Sequence, residues 1–180
     1  MMKTKTILIV GGAICLVALA TSAHGFGWSL VNAKIRHDFP GVKRITTDEL
    51  AAWLADKQRP APLLLDVRTA AEYDVSHLQN AERIAPDAPA SAVEQPKDRA
   101  IVTYCSVGYR SGGLAKKLRD AGFTKVSNLE GSIFVWANEG RPIFRDGQKV
   151  SKVHPYNRVW GLLLDKKYRA DISSAEKEKE

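Results

Sequence analysis

Hydrophobic and polar positions divide the chain into an apolar head, a patterned middle and a polar end. From Ile7 to Ala23 every residue is apolar or small and uncharged, with Lys3 and Lys5 ahead of the run. Thr46-Thr47-Asp48-Glu49 has the form of a capping box, with Thr46 as N-cap and Glu49 reaching back. It predicts a helix with Leu50, Trp53 and Leu54 on one face. After Pro60-Ala61-Pro62 comes Leu63-Leu64-Leu65-Asp66-Val67, and later Ala100-Ile101-Val102-Thr103-Tyr104. Short continuous apolar runs bounded by turn residues read as buried parallel strands. Lys125–Leu129 is a third candidate strand. Between the last two, Arg110–Ala121 places Leu114, Ala115, Leu118 and Ala121 on one stripe with lysines opposite, and Gly122 stops it.

Strands alternating with helices predict an α/β fold with a central, mostly parallel sheet flanked by helices. The organisation expected is a head at 1–23, a short amphipathic connector at 24–44, one domain at 45–145, and a partly helical tail at 146–180. Trp160 and Leu162–Leu164 are expected to pack that tail back on the domain, and Asp87–Asp98 reads as a surface loop.

Composition narrows the classes. A hydrophobic fraction of 44% with 26% charged residues excludes a disordered chain and a multi-span membrane protein. Only Cys15 and Cys105 are present, so neither a disulfide scaffold nor a four-cysteine zinc site can form. The net charge of +7 is dispersed rather than blocked, which argues against nucleic acid as a partner and suits small anions. The head has a basic n-region, a short apolar run and the small-residue steps Ala18-Leu19-Ala20 and Thr21-Ser22-Ala23, as in a cleaved export signal. A retained anchor fits equally, because the run is close to the minimum for crossing a bilayer. Both readings deliver the domain outside the cytoplasm, to the periplasm or tethered to the membrane by the N-terminal segment alone. Lys34, Arg36 and Lys43 follow the run, so loop charge does not fix an anchor's orientation.

The chemistry lies at Cys105-Ser106-Val107-Gly108-Tyr109-Arg110, between a predicted strand and a predicted helix. Ligands of α/β sheets bind outside the carboxyl ends of strands. A helix N-terminus offers unpaired N–H groups and a positive dipole end, and Arg110 adds a cation; all favour an anion such as a thiolate. Gly108 lets the loop curl with its amides inward. The arrangement suits a thiolate nucleophile with a second anion beside it.

The segment from Thr46 to Ile143 resembles a single rhodanese-like domain. The residues that carry the resemblance are Leu65-Asp66-Val67-Arg68 with Glu72-Tyr73, His77-Leu78 before Asn80-Ala81, the Cys105–Arg110 loop, Asn128-Leu129-Glu130-Gly131-Ser132, and Trp136. The resemblance implies a three-layer α/β fold and sulfurtransferase activity of the thiosulfate:cyanide type. Cys105 would carry a persulfide, cradled by Ser106, Val107, Gly108, Tyr109 and Arg110, with Arg110 also catalytic and binding the donor anion. Asp66 and Arg68 would support the pocket. The implied partners are a small anionic sulfur donor and a thiol acceptor, either a small molecule or a protein, with cyanide as a further acceptor. Neither a metal nor an organic cofactor is implied.

Three departures bear on that expectation. Ser106 and Val107 stand where many thiosulfate-using relatives carry basic residues, and Ser132 stands where many have Gly. Phosphatase-type cradles place Arg six positions after Cys, whereas position 111 here is Ser. The uncharged loop and aromatic tail also fit a membrane-tethered sulfur carrier with little turnover of its own. His24, His37, His77 and His154 are scattered without ligand spacing. Glu72, four residues after Arg68, is expected to pair with it, and Trp53 and Trp136 read as core.

Overall fold

Every position of Leu63–Asp66 and Ile101–Tyr104 is buried, which is the signature of strands covered on both faces. The computed structural model describes residues 25–171, so the predicted signal or anchor at 1–23 and the end of the tail lie outside the described residues. Among the described residues no helix is long and apolar enough to cross a membrane.

The chain opens with helix α1 over residues 25–38. Strand β1 (Lys43–Ile45), helix α2 (Thr47–Ala55), β2 (Leu63–Asp66), α3 (Ala70–Val75) and β3 (Glu82–Arg83) follow. Then come β4 (Ile101–Tyr104), α4 (Tyr109–Asp120), β5 (Val126–Leu129), α5 (Ser132–Asn138) and the hairpin β6–β7 (Ile143–Arg145, Gln148–Val150). Strands β1 to β5 form one sheet in the order β1-β5-β4-β2-β3, with every pairing parallel. Asp66 sits opposite Tyr104 and Thr103 opposite Asn128, so β2, β4 and β5 end level along one edge.

Alternation along the strands builds the layers. Leu64, Val102, Tyr104 and Leu129 face a core completed by Leu50 of α2 and Ile133, Phe134 and Trp136 of α5. Leu63, Leu65 and Ile101 face the other way, onto Leu114, Ala115 and Leu118 of α4. The result is the predicted three-layer α/β arrangement. The Thr46 capping box is present in full, with Glu49 N donating to Thr46 Oγ1 at 3.2 Å and Thr46 N donating to Glu49 Oε2 at 2.8 Å.

Several expectations are corrected. The connector is largely helix α1, whose Ile35 is buried and whose Trp28 and Val31 pack on the core. Leu54 is exposed, while Leu50 is fully buried and Trp53 packs partly buried on the core. Ala121 caps α4 and is also exposed. Over its described part the tail is helical only as two 3-10 turns, Trp160–Leu163 and Lys166–Tyr168; Trp160, Leu163 and Leu164 pack on the core as expected, whereas Leu162 is exposed. The tail backbone pairs with itself, Val153 N donating to Tyr168 O at 2.7 Å and Ala170 N to Val153 O at 2.9 Å.

Candidate active site

Cys105 follows β4 directly and is 1% exposed. Its backbone is fixed from the neighbouring element. Cys105 N donates to Ser132 Oγ at 3.1 Å, and Ile133 N and Phe134 N donate to the carbonyls of Cys105 and Ser106, each at 3.2 Å. The first turn of α5 thereby satisfies its own unpaired amides on the loop's carbonyls. With those carbonyls turned toward α5, Gly108 N donates to Cys105 Sγ at 3.2 Å.

Gly108 makes that turn possible. Its φ of 105° is a conformation L side chains rarely adopt, and an added Cβ would lie 3.3 Å from Ile35 Cδ1. Asn128 of β5 locks the end of the loop, its Nδ2 donating to Gly108 O at 2.9 Å while its Oδ1 accepts from Ser111 Oγ at 2.7 Å.

Arg110 lies on the first turn of α4, yet its guanidinium is committed. Nη1 and Nη2 donate to the two carboxylate oxygens of Glu72 at 2.8 and 2.7 Å. Ser106 Oγ donates to the same carboxylate at 2.8 Å, and Arg110 Nη2 lies 3.0 Å from Ser106 Oγ. Burial pushes the Glu72 carboxyl up, but Arg110's hydrogen bonds and charge, aided by Arg68, hold it down at about 2. The expectation that Glu72 pairs with Arg68 is corrected: Arg68 turns to Asp66, with Nη2 at 2.6 Å from Oδ2, and also donates to Ser76 O. Asp66 and Arg68 are both fully buried beneath the loop and do not line the cavity over Cys105. His77 stacks on Tyr73, ring centroids 4.0 Å apart. Trp136 is core, whereas Trp53 is half-buried beneath the Arg59 guanidinium, 3.4 Å from its ring centroid.

A cavity of about 250 Å³ opens on Cys105. The loop contributes Cys105, Ser106, Val107, Tyr109 and Arg110, while the predicted Gly108 stays behind it. The remaining wall is Val31 and Lys34 of α1 with Tyr156 and Trp160 of the tail, none of which sequence reasoning placed at the site. Tyr109 donates its hydroxyl to Asp38 Oδ2 at 2.7 Å. The Arg110 guanidinium lies 4.7 Å from the ring centroid of Tyr156, which itself has a φ of 66°.

Ser132 has a role that its place in the sequence does not announce. It holds φ at 50°, bridges Cys105 N and Leu129 O through its hydroxyl, and is fully buried. Its occurrence where a flexible residue is usual was the available sign.

A parallel sheet with a cysteine loop between β4 and α4 defines the class of molecule, and comparison with known proteins agrees. The family description "Rhodanese-like domain" matches residues 46–139, more than half of the chain. The protein belongs to the rhodanese-like domain family. It is 37% identical over 110 residues to a sulfurtransferase of Allochromatium vinosum, covering 57% of this chain and 94% of that protein. It is 35% identical over 101 residues to the probable adenylyltransferase/sulfurtransferase MoeZ of Mycobacterium tuberculosis, covering 54% of this chain. There the chain spans only 25% of the relative's length. A rhodanese-like domain protein from Staphylococcus aureus superposes with a TM-score of 0.52 at 28% identity, over 58% of this chain and 99% of that one. The matched family region excludes Val31, Lys34, Tyr156 and Trp160.

Proposed function

We propose that the protein is a sulfurtransferase that moves sulfane sulfur from a thiosulfate-like anion to a thiol or cyanide through a persulfide on Cys105. The observation that carries this reading is the Gly108 amide aimed at Sγ from a loop whose Cys105 and Ser106 carbonyls are turned away toward α5. An oriented N–H at a helix N-terminus stabilises a sulfur anion at the position where it forms. The Cys105 thiolate attacks the outer sulfur of the donor, and the donor's remaining group leaves with the bonding electron pair. The acceptor then attacks the outer sulfur of the persulfide and restores the thiolate. The two half-reactions give ping-pong kinetics. Arg110 shapes the loop through Glu72 and Ser106 and fixes the cavity floor. The sulfurtransferase relatives support sulfur transfer in general.

On the apolar head that follows Lys3 and Lys5, we further place the domain outside the cytoplasm, exported or tethered. The test is steady-state thiocyanate production by the full-length chain with thiosulfonate or thiosulfate and cyanide. Parallel double-reciprocal lines, with no turnover in Cys105→Ser, are expected. Equal turnover in Cys105→Ser would overturn the reading. A single stoichiometric round that stalls until a protein thiol is added would instead identify a sulfur carrier.

A further inference from the structure

The exposed apolar side chains of the domain are gathered on one side. Among the described residues, every exposed large hydrophobic except Leu54 belongs to α1, to the tail or to the rim of the cavity between them. Phe26 and Leu30 of α1, and Val159 and Leu162 of the tail, are each more than half exposed, and none of the four lines that cavity. Phe26 and Leu30 stand about one helical turn apart on one side of α1, and Val159 and Leu162 stand one turn apart on the tail. The two elements are in contact here, because a Cβ added at Gly27 would lie 3.1 Å from Leu163 Cδ2.

This face is held outward by fixed backbone. Trp28 and Val31 on the other side of α1, and Trp160 and Leu163 of the tail, pack on the core. The Asn138 side chain clamps the tail, donating to Leu163 O at 2.9 Å and accepting from Asp165 N at 2.8 Å. Gly161 is buried so closely that an added Cβ would lie 2.9 Å from Pro155 Cβ. A cluster of apolar side chains kept exposed in this way marks a contact surface.

The chain just before α1 points to what covers it. The uncharged apolar run Ile7–Ala23 ends three residues before Phe26. At no more than ~3.6 Å per residue, Phe26 lies within ~11 Å of the end of that run. The run has seventeen residues, enough to reach the lower limit for crossing the hydrocarbon core of a bilayer. A bilayer that holds the run therefore brings Phe26 to its interface, and the contact at Gly27 brings the tail with it. From Lys152 to Asp171 the tail carries five basic residues against two acidic ones, the balance that anionic headgroups attract.

We propose that Phe26, Leu30, Val159 and Leu162 form a membrane-contact face that seats the domain on an anionic lipid surface. The inference rests on the tethered reading of the head and is independent of sulfur transfer. Burying the four side chains at the interface removes apolar area from water, as an interfacial amphipathic helix does. Val31 follows Leu30 and Trp160 follows Val159, so the cavity over Cys105 opens at the margin of the seated face. Seating thus orients the cavity relative to the bilayer instead of leaving the domain to tumble on its tether.

The test is fluorescence quenching of the full-length chain in vesicles of phosphatidylcholine and phosphatidylglycerol. With Cys15→Ala and Cys105→Ser in place, a nitrobenzoxadiazole fluorophore is attached through Leu30→Cys, Leu162→Cys or, as the control, Asp98→Cys. Asp98 is exposed just before β4, at the end of the sheet opposite the Cys105 loop. Flotation with the vesicles reads the tether, and quenching by lipid brominated near the headgroup reads the contact. All three should float, with quenching at Leu30→Cys and Leu162→Cys at least ~3-fold greater than at Asp98→Cys. Leu162→Cys is decisive, because the sequence sets that position far from the head. Adding Val159→Asp should lower quenching at Leu162→Cys by ~2-fold or more and leave flotation unchanged. Flotation with equal quenching at Leu162→Cys and Asp98→Cys overturns the inference and leaves the tether standing. A blue shift at Leu162→Cys without quenching does the same, because protein rather than lipid then covers the face. Failure to float overturns the tether and the inference together.

Discussion

Replacing Glu72 with Gln separates the charge at the site from its shape. The carboxylate accepts two bonds from Arg110, one from Ser106 Oγ at 2.8 Å, and two from the N-cap Thr69, through N at 3.1 Å and Oγ1 at 3.0 Å. Gln keeps one acceptor oxygen but turns an NH₂ toward Arg110 and leaves the guanidinium unpaired. Breaking a buried ion pair from one side costs about 3–5 kcal/mol. The Arg110 side chain is 21% exposed, so water recovers part of this and the lower end applies. A second route gives the same size. Glu72 is held at about 2 against an ordinary 4.5, so the folded state favours the carboxylate. Its contribution is fully present above pH 4.5 and is lost as pH falls through about 2. At ~1.4 kcal/mol per pH unit of separation, that contribution is ~3 kcal/mol. Urea unfolding of wild type and Glu72→Gln at pH 7, and at steps down to pH 2, measures both. The expected result is a loss of ~3 kcal/mol at neutral pH and a gap that closes in acid. A gap under ~1 kcal/mol, or one that persists unchanged into acid, would refute the reasoning.

Ser132 should reverse a usual order of substitution. Ala and Gly both remove the acceptor for the buried Cys105 amide, but only Gly relieves a φ of 50°, so Ser132→Ala should be less stable than Ser132→Gly by ~1 kcal/mol in urea midpoints. Equal midpoints would mean that the backbone there carries no strain. Asn138→Ala cuts both clamps on the tail, and hydrogen exchange at Asp165 and Trp160 should quicken ~10-fold while amides of β4 stay protected. Unchanged exchange would show that the tail is held by packing alone. Gly108→Ala forces a side chain onto a φ of 105° and against Ile35, and should slow persulfide formation by ~10-fold or more with Cys105 intact.

What the sequence revealed follows from which forces are local. Apolar runs in β2 and β4, the stripe of α4 and the Thr46 box each write their structure into consecutive residues, and all four appear where expected. Thr69-Ala70-Ala71-Glu72 carries the same capping pattern and opens α3, although the spacing of Glu72 from Arg68 suggests a pair with Arg68 instead. That reading used helix spacing across a segment in which Arg68 precedes the helix. The edge strands β1 and β3 hold Lys43-Arg44 and Glu82-Arg83, too polar and short to show periodicity. At the site, the Cys105 loop was legible because its six residues are contiguous. The partners of Arg110 and the wall from Val31 and Trp160 were not, since contacts spanning 38 residues or more are set by the fold rather than by spacing.

The central claim is that Cys105 carries the transferred sulfur. Intact-mass measurement of the full-length protein after incubation with benzenethiosulfonate, beside Cys105→Ser, tests it most directly. The account predicts a gain of one sulfur atom on wild type alone, removed again by cyanide. The same gain on Cys105→Ser, or no gain on wild type from either benzenethiosulfonate or thiosulfate, would contradict it.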